Sequence, residues 1–256
     1  MQQAGEALHT TYARKALVAG ASFLTGLLCA RGLVFGRYAP FGVAVAAAAP
    51  RGGLWAAVLG AFLGYLFPSP VYVPIRYAAA LIAVAAIRWS LSELRGVNTH
   101  PLYAPAVAFL PLFLTGMTMV FLNGSMSYTA ALYLAESFLG AGCAYFLTRT
   151  AGLLLGPDRK SGRALLQAPL EGGDVAALTV TVAILVLAFS QVSLSGVSLG
   201  RVLMVLLVIT CARAGGISGG AVAGVTAGVV QGLSTAGLSY LSGAYGLGGL
   251  MAGVFA

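Results

Sequence analysis

Charge is what this chain has least of. Only 8% of its 256 residues are charged against 59% hydrophobic, far below the polar surface a water-soluble domain of this size needs. Acids are scarcer still: six Asp and Glu in total, with only two histidines. A metal site, a catalytic triad or a nucleotide loop needs such groups clustered at characteristic spacing, and no such cluster rises above background. Cysteine is nearly absent too. Cys29, Cys143 and Cys211 sit singly inside apolar stretches, without paired or metal-ligand spacing, and read as small packing residues. The formal charge of +8 could suggest nucleic acid, but the basic residues stand singly at the ends of apolar runs, which is the pattern of membrane insertion.

What is abundant is long hydrophobic runs. They predict spans near 16–35, 39–50, 53–67, 71–90, 102–122, 127–153, 175–190, 198–213, 215–233 and 240–256. The expected fold class is therefore all-α: a polytopic transmembrane helix bundle of about eight to ten spans with both ends cytoplasmic. The second and third runs fall short of the roughly twenty residues a crossing needs, so they are tilted, half-buried or a re-entrant pair. Pro68-Ser-Pro70, Asn123-Gly-Ser and Asn98-Thr-His-Pro101 supply turns between runs. Arg14 and Lys15 precede an apolar stretch too long for a signal-peptide core, so the first span is retained.

Basic residues orient the thread. With the N-terminus inside, Arg14, Lys15, Arg51, Arg88, Arg95, Arg149, Arg159, Lys160, Arg163 and Arg213 fall on the cytoplasmic side, and Arg31, Arg37, Arg76 and Arg201 toward the outside. Ten against four supports that orientation, because the loops concerned are short. The expected organisation is a cytoplasmic tail over 1–15, a first helix group over 16–153, a basic cytoplasmic loop over 154–174, and a second, glycine-rich group over 175–256. The polar segment from Gly156 to Asp174 is a solvated connector or a short amphipathic turn on the inner leaflet. Residues 51–66 and 213–233 share an Arg, a Gly pair and a small-residue helix, which an internal repeat or simple convergence would produce.

Two features stand out locally. Gly216, Gly220, Gly224, Gly228 and Gly232 recur every four residues, which on one helix makes a smooth ridge. Such a ridge lets a neighbouring backbone approach closely, either within the chain or at a self-association seam. Gly52, Ala56, Gly60 and Gly64 repeat the idea on the third span, and Gly249 with Gly253 on the last. The other feature is Glu136, the sole acid near a bilayer centre, which must be paired or protonated. Arg31 and Arg76 are the available partners; Arg76, between Tyr72 and Tyr77, also fits a snorkelling anchor in an aromatic belt. A structural pair, a proton or substrate relay, and a regulatory contact are the three roles open to Glu136.

The run Gly26-Leu-Leu-Cys-Ala-Arg31-Gly-Leu-Val-Phe, then Ala39-Pro-Phe-Gly42, Ala135-Glu136, Gly215-Gly216-Ile-Ser-Gly-Gly220 and Gly243-Ala-Tyr-Gly-Leu-Gly-Gly-Leu-Met-Ala-Gly253 resembles the membrane region of the stage II sporulation protein E family. The resemblance follows one order of segments across nearly the whole chain. Cys29 departs from it, since a small residue or glycine is favoured there. In that family a polytopic region precedes a cytoplasmic segment associated with the division protein FtsZ and a manganese-dependent serine phosphatase domain of the PP2C type. The resemblance implies a protein of the cell membrane at the polar division septum, whose full-length form dephosphorylates an anti-anti-sigma factor and so frees the forespore sigma factor. This stretch would then be the anchoring and localising region, with lipid as its main partner and self-association expected. No catalytic, cofactor or metal residue is expected within it, because a two-metal site needs several aspartates and only Asp158 and Asp174 are present. The chain also ends inside an apolar helix, as a fragment would. A small-solute transporter or channel using Glu136, and a non-enzymatic membrane scaffold, are the alternatives.

Overall fold

The computed structural model describes residues 2–34, 37–66, 75–98, 100–124, 128–155, 172–190, 193–194, 197–234 and 241–255. Ten α-helices are found among them: α1 (Gln2–Cys29), α2 (Phe41–Ala48), α3 (Leu54–Leu66), α4 (Ile75–Ser90), α5 (Arg95–Asn98), α6 (Tyr103–Asn123), α7 (Tyr128–Leu155), α8 (Gly172–Phe189), α9 (Leu199–Ser234) and α10 (Leu241–Val254). A single 3-10 turn, Arg51–Gly53, leads into α3. Among the described residues, extended structure is limited to a hairpin of two residues a strand, Ser193–Leu194 against Val197–Ser198, and a bridge between Val34 and Tyr38. Helices therefore stand where the apolar runs predicted them. The first differs in extent: α1 already begins at Gln2, so the stretch expected as a tail is helical. The Pro68–Pro70 turn, Ser125 and the basic loop over 156–171 lie outside the described residues.

The chain forms two compact units, one of residues 1–30 and 40–181, the other of 31–39 and 182–256. At the centre of the first is α2, whose eight residues are all buried. The sequence Phe-Gly-Val-Ala-Val-Ala-Ala-Ala is apolar on every side and small on most, so neighbours pack against it all round. Proline limits it at both ends: Pro40 is its N-cap, and Pro50 is extended at φ −62°, ψ 154°. A buried helix this short leaves end groups that water cannot reach, and side chains satisfy them. The Tyr65 hydroxyl oxygen lies against the backbone amides of Gly42 and Val43, while Arg88 donates through Nη1 to the Ala46 carbonyl at 2.9 Å.

Around α2, glycine sets the spacing. A methyl at Gly26 would overlap the Ala57 carbonyl, one at Gly60 the Phe23 carbonyl, and one at Gly64 the Leu27 carbonyl. The contacts of Ser22 with Gly53, Gly26 with Ala57 and Leu27 with Gly64 rise together in number, so α1 and α3 run parallel, with α2 as the return between them. Helices α6 and α7 form an antiparallel hairpin. It turns through Gly124 at φ 66°, and Gly116 faces Tyr133 while Gly140 faces Leu112. Pro111 lies inside α6 and deprives one carbonyl of its usual partner; Thr115 returns a hydrogen bond to the Pro111 carbonyl at 2.6 Å.

In the second unit, Val186, Met204, Val208 and Ala227 form a core with Leu203, Ala223, Val230 and Tyr245 packed against it. Helix α9 is broken at Gly216 (φ 60°, ψ −147°), a backbone region reserved for glycine. The break separates the two runs that the sequence predicted as separate spans. It also corrects the picture of one five-glycine ridge, because Gly216 ends the first half rather than opening a face on the second. Gly220 and Gly224 lie against the carbonyls of Gly249 and Tyr245, and Gly253 against Gly216 and Ile217, so α9 and α10 pack antiparallel through their glycines. Gly228 is buried and Gly232 half-buried on the same segment.

Two helices, Tyr103–Leu122 and Tyr128–Leu154, are long and apolar enough to cross a membrane.

Candidate functional site

The one deeply buried ionic cluster among the described residues lies in the first unit, where α4 meets α7. Glu136 stands eight residues into α7, about 12 Å along it. Arg76 Nη2 pairs with its Oε2, and the Tyr77 hydroxyl donates to its Oε1. The two charged side chains are only 2% and 1% exposed. Consecutive residues on α4 thus take the two carboxylate oxygens separately, and the charge is both neutralised and hydrogen-bonded.

Aromatic rings enclose the guanidinium. Its carbon is 4.4 Å from the Tyr133 ring centre and 4.7 Å from that of Tyr77. Tyr133 and Glu136 are three residues apart on α7 and share a face, which is how one helix supplies both ring and carboxylate. Tyr77 is in turn stacked on Tyr65 at 5.0 Å and 12° between planes. Because the Tyr65 hydroxyl meets the start of α2, one chain of contacts, a ring stack between two sets of hydrogen bonds, runs from the buried half-helix through Tyr65 and Tyr77 to Glu136 and Arg76. Ser137 is buried beside it and bonds back to the Tyr133 carbonyl at 2.7 Å. Arg76 Nε is buried without a hydrogen-bond partner among the described residues.

Of the two partners expected for Glu136, then, Arg76 is the one that reaches it. The snorkelling role is overturned for the same reason: Arg76 is 3% exposed and turned into the bundle. Arg31 follows α1 in the segment 31–39 and is half-buried in the second unit. Sequence reasoning missed Tyr65, Tyr77 and Tyr133, whose hydroxyls and rings complete the cluster. The Arg76-Tyr77 dipeptide and the Tyr133/Glu136 spacing were the available signals. It also missed the ion pair of Arg149 with Asp174 at 2.9 Å, beside the hydrogen bond of Thr150 to Thr181 at 2.9 Å. Together these tie α7 to α8, at its first turn and again near its middle.

Both oxygens of Glu136 are engaged, and the contacts tie α4 to α7. Comparison with family models, with curated proteins and with solved structures yields no match.

Proposed function

We propose that this chain is the membrane-anchoring and septum-localising region of a sporulation serine phosphatase of the stage II sporulation protein E family. The observation that carries the reading is that the residues bearing the resemblance also hold the helices together. Pro40 caps the buried half-helix, Gly42 admits the Tyr65 ring, Glu136 takes Arg76, and Gly220, Gly249 and Gly253 let α9 and α10 meet. A motif order shared with a family for structural reasons is expected to recur at such positions. In this reading the phosphatase domain, its manganese and its anti-anti-sigma substrate belong to sequence beyond Ala256, and FtsZ engages a cytoplasmic segment there.

Multi-pass placement in the cell membrane is part of the proposal. Its support is the outward surface. On α3, Trp55, Leu59, Phe62 and Leu66 are exposed at helical spacing, opposite the face that carries Gly60 and Gly64; on α4, Ile75, Ile82 and Trp89 are exposed seven residues apart. Large apolar side chains in continuous stripes on the outside are costly in water and neutral in lipid. Reading the coding sequence past Ala256 tests the family: a PP2C-type domain is expected, and an unrelated domain or a stop codon would remove the reading. A fluorescent fusion in sporulating cells is expected to concentrate at the asymmetric septum.

A transporter is the second reading, favoured by one observation. A short, fully buried half-helix at the centre of a bundle is how many transporters build a midplane site. Solute uptake by reconstituted liposomes that is lost in Glu136→Gln would promote it.

A further inference from the structure

Two cavities meet in the first unit at the end of α2, and their chemistry is complementary. The larger, about 580 Å³, is apolar, with Leu17 and Val18 of α1, Val45 of α2, and Leu147 and Leu154 of α7 in its wall, and Arg14 among its lining residues. Its volume falls within the range of small-molecule pockets, roughly 300–1,000 Å³. The smaller, about 350 Å³, has a more polar wall, in which Arg51, Arg88, Asn98, Tyr103 and Thr148 stand among alanines. The residues Ala48, Ala49, Pro50 and Ala151 line both, so a single amphiphile can occupy the two together.

Charge decides what kind. Arg51 and Arg88 line the same cavity. Arg88 spends one nitrogen on the Ala46 carbonyl, and the Asn98 amide is spent on the carbonyls of Leu91, Ser92 and Leu94. The Tyr103 hydroxyl sits beside the Arg88 guanidinium but makes no well-aligned hydrogen bond. Among the described lining residues of both cavities there is no carboxylate. A doubly cationic cavity without an acid needs an anion, and one adjoining an apolar groove needs an anion with a tail. Arg14, Arg51 and Arg88 all belong to the side of the thread expected to face the cytoplasmic leaflet, where anionic lipids lie and where basic pockets between helices take their head groups.

The geometry points to a specific binding site for an anionic phospholipid, its phosphate between Arg51 and Arg88 and an acyl chain in the groove formed by α1, α2 and α7. The inference rests on the membrane placement proposed above and not on the phosphatase reading. A chain that needs no detergent for extraction would remove that placement, whereas the lipid site stands or falls on the comparison that follows.

The test is thermal unfolding of the detergent-solubilised chain titrated with phosphatidylglycerol, phosphatidylcholine or inorganic phosphate. Phosphatidylglycerol is expected to raise the unfolding temperature saturably, with phosphatidylcholine and phosphate giving no saturable shift. Arg51→Gln, at an exposed position, is expected to weaken the apparent affinity for phosphatidylglycerol about tenfold, as loss of one charge-assisted contact does. Ala21→Phe, at an exposed position lining the groove, is expected to weaken it without altering the preference for the anionic lipid. Equal stabilisation by phosphatidylcholine, an unchanged affinity in Arg51→Gln, or a phosphate effect as large as that of the lipid would each overturn the assignment.

Discussion

At the scale of single residues, the molecule's largest commitment is one carboxylate. Placing Glu136 away from water costs several kcal/mol, which is recovered only because Arg76 and Tyr77 take its two oxygens. Glu136→Leu alone leaves Arg76 buried and unmatched, and is expected to cost about 3 to 5 kcal/mol. The double variant Glu136→Leu, Arg76→Met is expected to recover most of that loss. Thermal unfolding in detergent of the wild type, Glu136→Leu, Arg76→Met and the double variant measures it, and a single variant as stable as the wild type would rule out the buried pair as a structural element. Tyr77→Phe removes one hydrogen bond to a charged group and is expected to cost about 1.5 to 3 kcal/mol. The need for a partner was legible in the sequence, because an acid in the middle of an apolar helix has no other way to exist. Which arginine supplies it was not, since Arg31 and Arg76 are equally basic and their reach depends on how the helices are placed around α7.

Elements are decided by glycine and proline more than by large side chains. The run over 39–50 is too short to cross and apolar on all sides, so a re-entrant or half-buried piece could be anticipated. That it forms the centre of a unit, with Tyr65 at one end and Arg88 at the other, could not be, because both caps come from distant helices. Gly224 lies against the Tyr245 carbonyl, and Gly224→Leu is expected to drive α9 and α10 apart. Cysteines placed across that seam would then cross-link less and the protein would unfold earlier; an unchanged pattern would mean the ladder faces lipid. Gly216→Ala tests the break in α9. An alanine held at φ 60°, ψ −147° is strained, and a loss of about 1 to 3 kcal/mol is expected, against a gain if the helix were continuous there.

For the whole molecule the governing fact is that apolar side chains face outward as well as inward. Interior faces carry small residues, Ala57, Gly60, Ala61 and Gly64 on α3, and the outer face carries Trp55, Leu59 and Leu66. That is the reverse of a water-soluble bundle, in which the large apolar residues are inside. The chain is expected to stay with the membrane fraction through high salt and alkaline washing and to be released by detergent. Release by salt alone would mean a peripheral protein held by its positive charge, contrary to the multi-pass placement.

The sequence by itself determined that the chain is helical and apolar, where nearly every helix stands, and that Glu136 and several of the spaced glycines, Gly60, Gly64, Gly220, Gly224, Gly249 and Gly253, are sites of close packing, whereas Gly52 faces open space. These follow from local causes: run length, proline and glycine breaks, and the cost of one charge without water. Only the tertiary structure decided that Arg76 is the partner, that Tyr65, Tyr77 and Tyr133 complete the cluster, that Gly216 breaks a helix, and that residues 31–39 belong with 182–256. Each of these depends on residues far apart in the chain meeting at particular atoms, and spacing along one strand of sequence carries no information about which helices become neighbours.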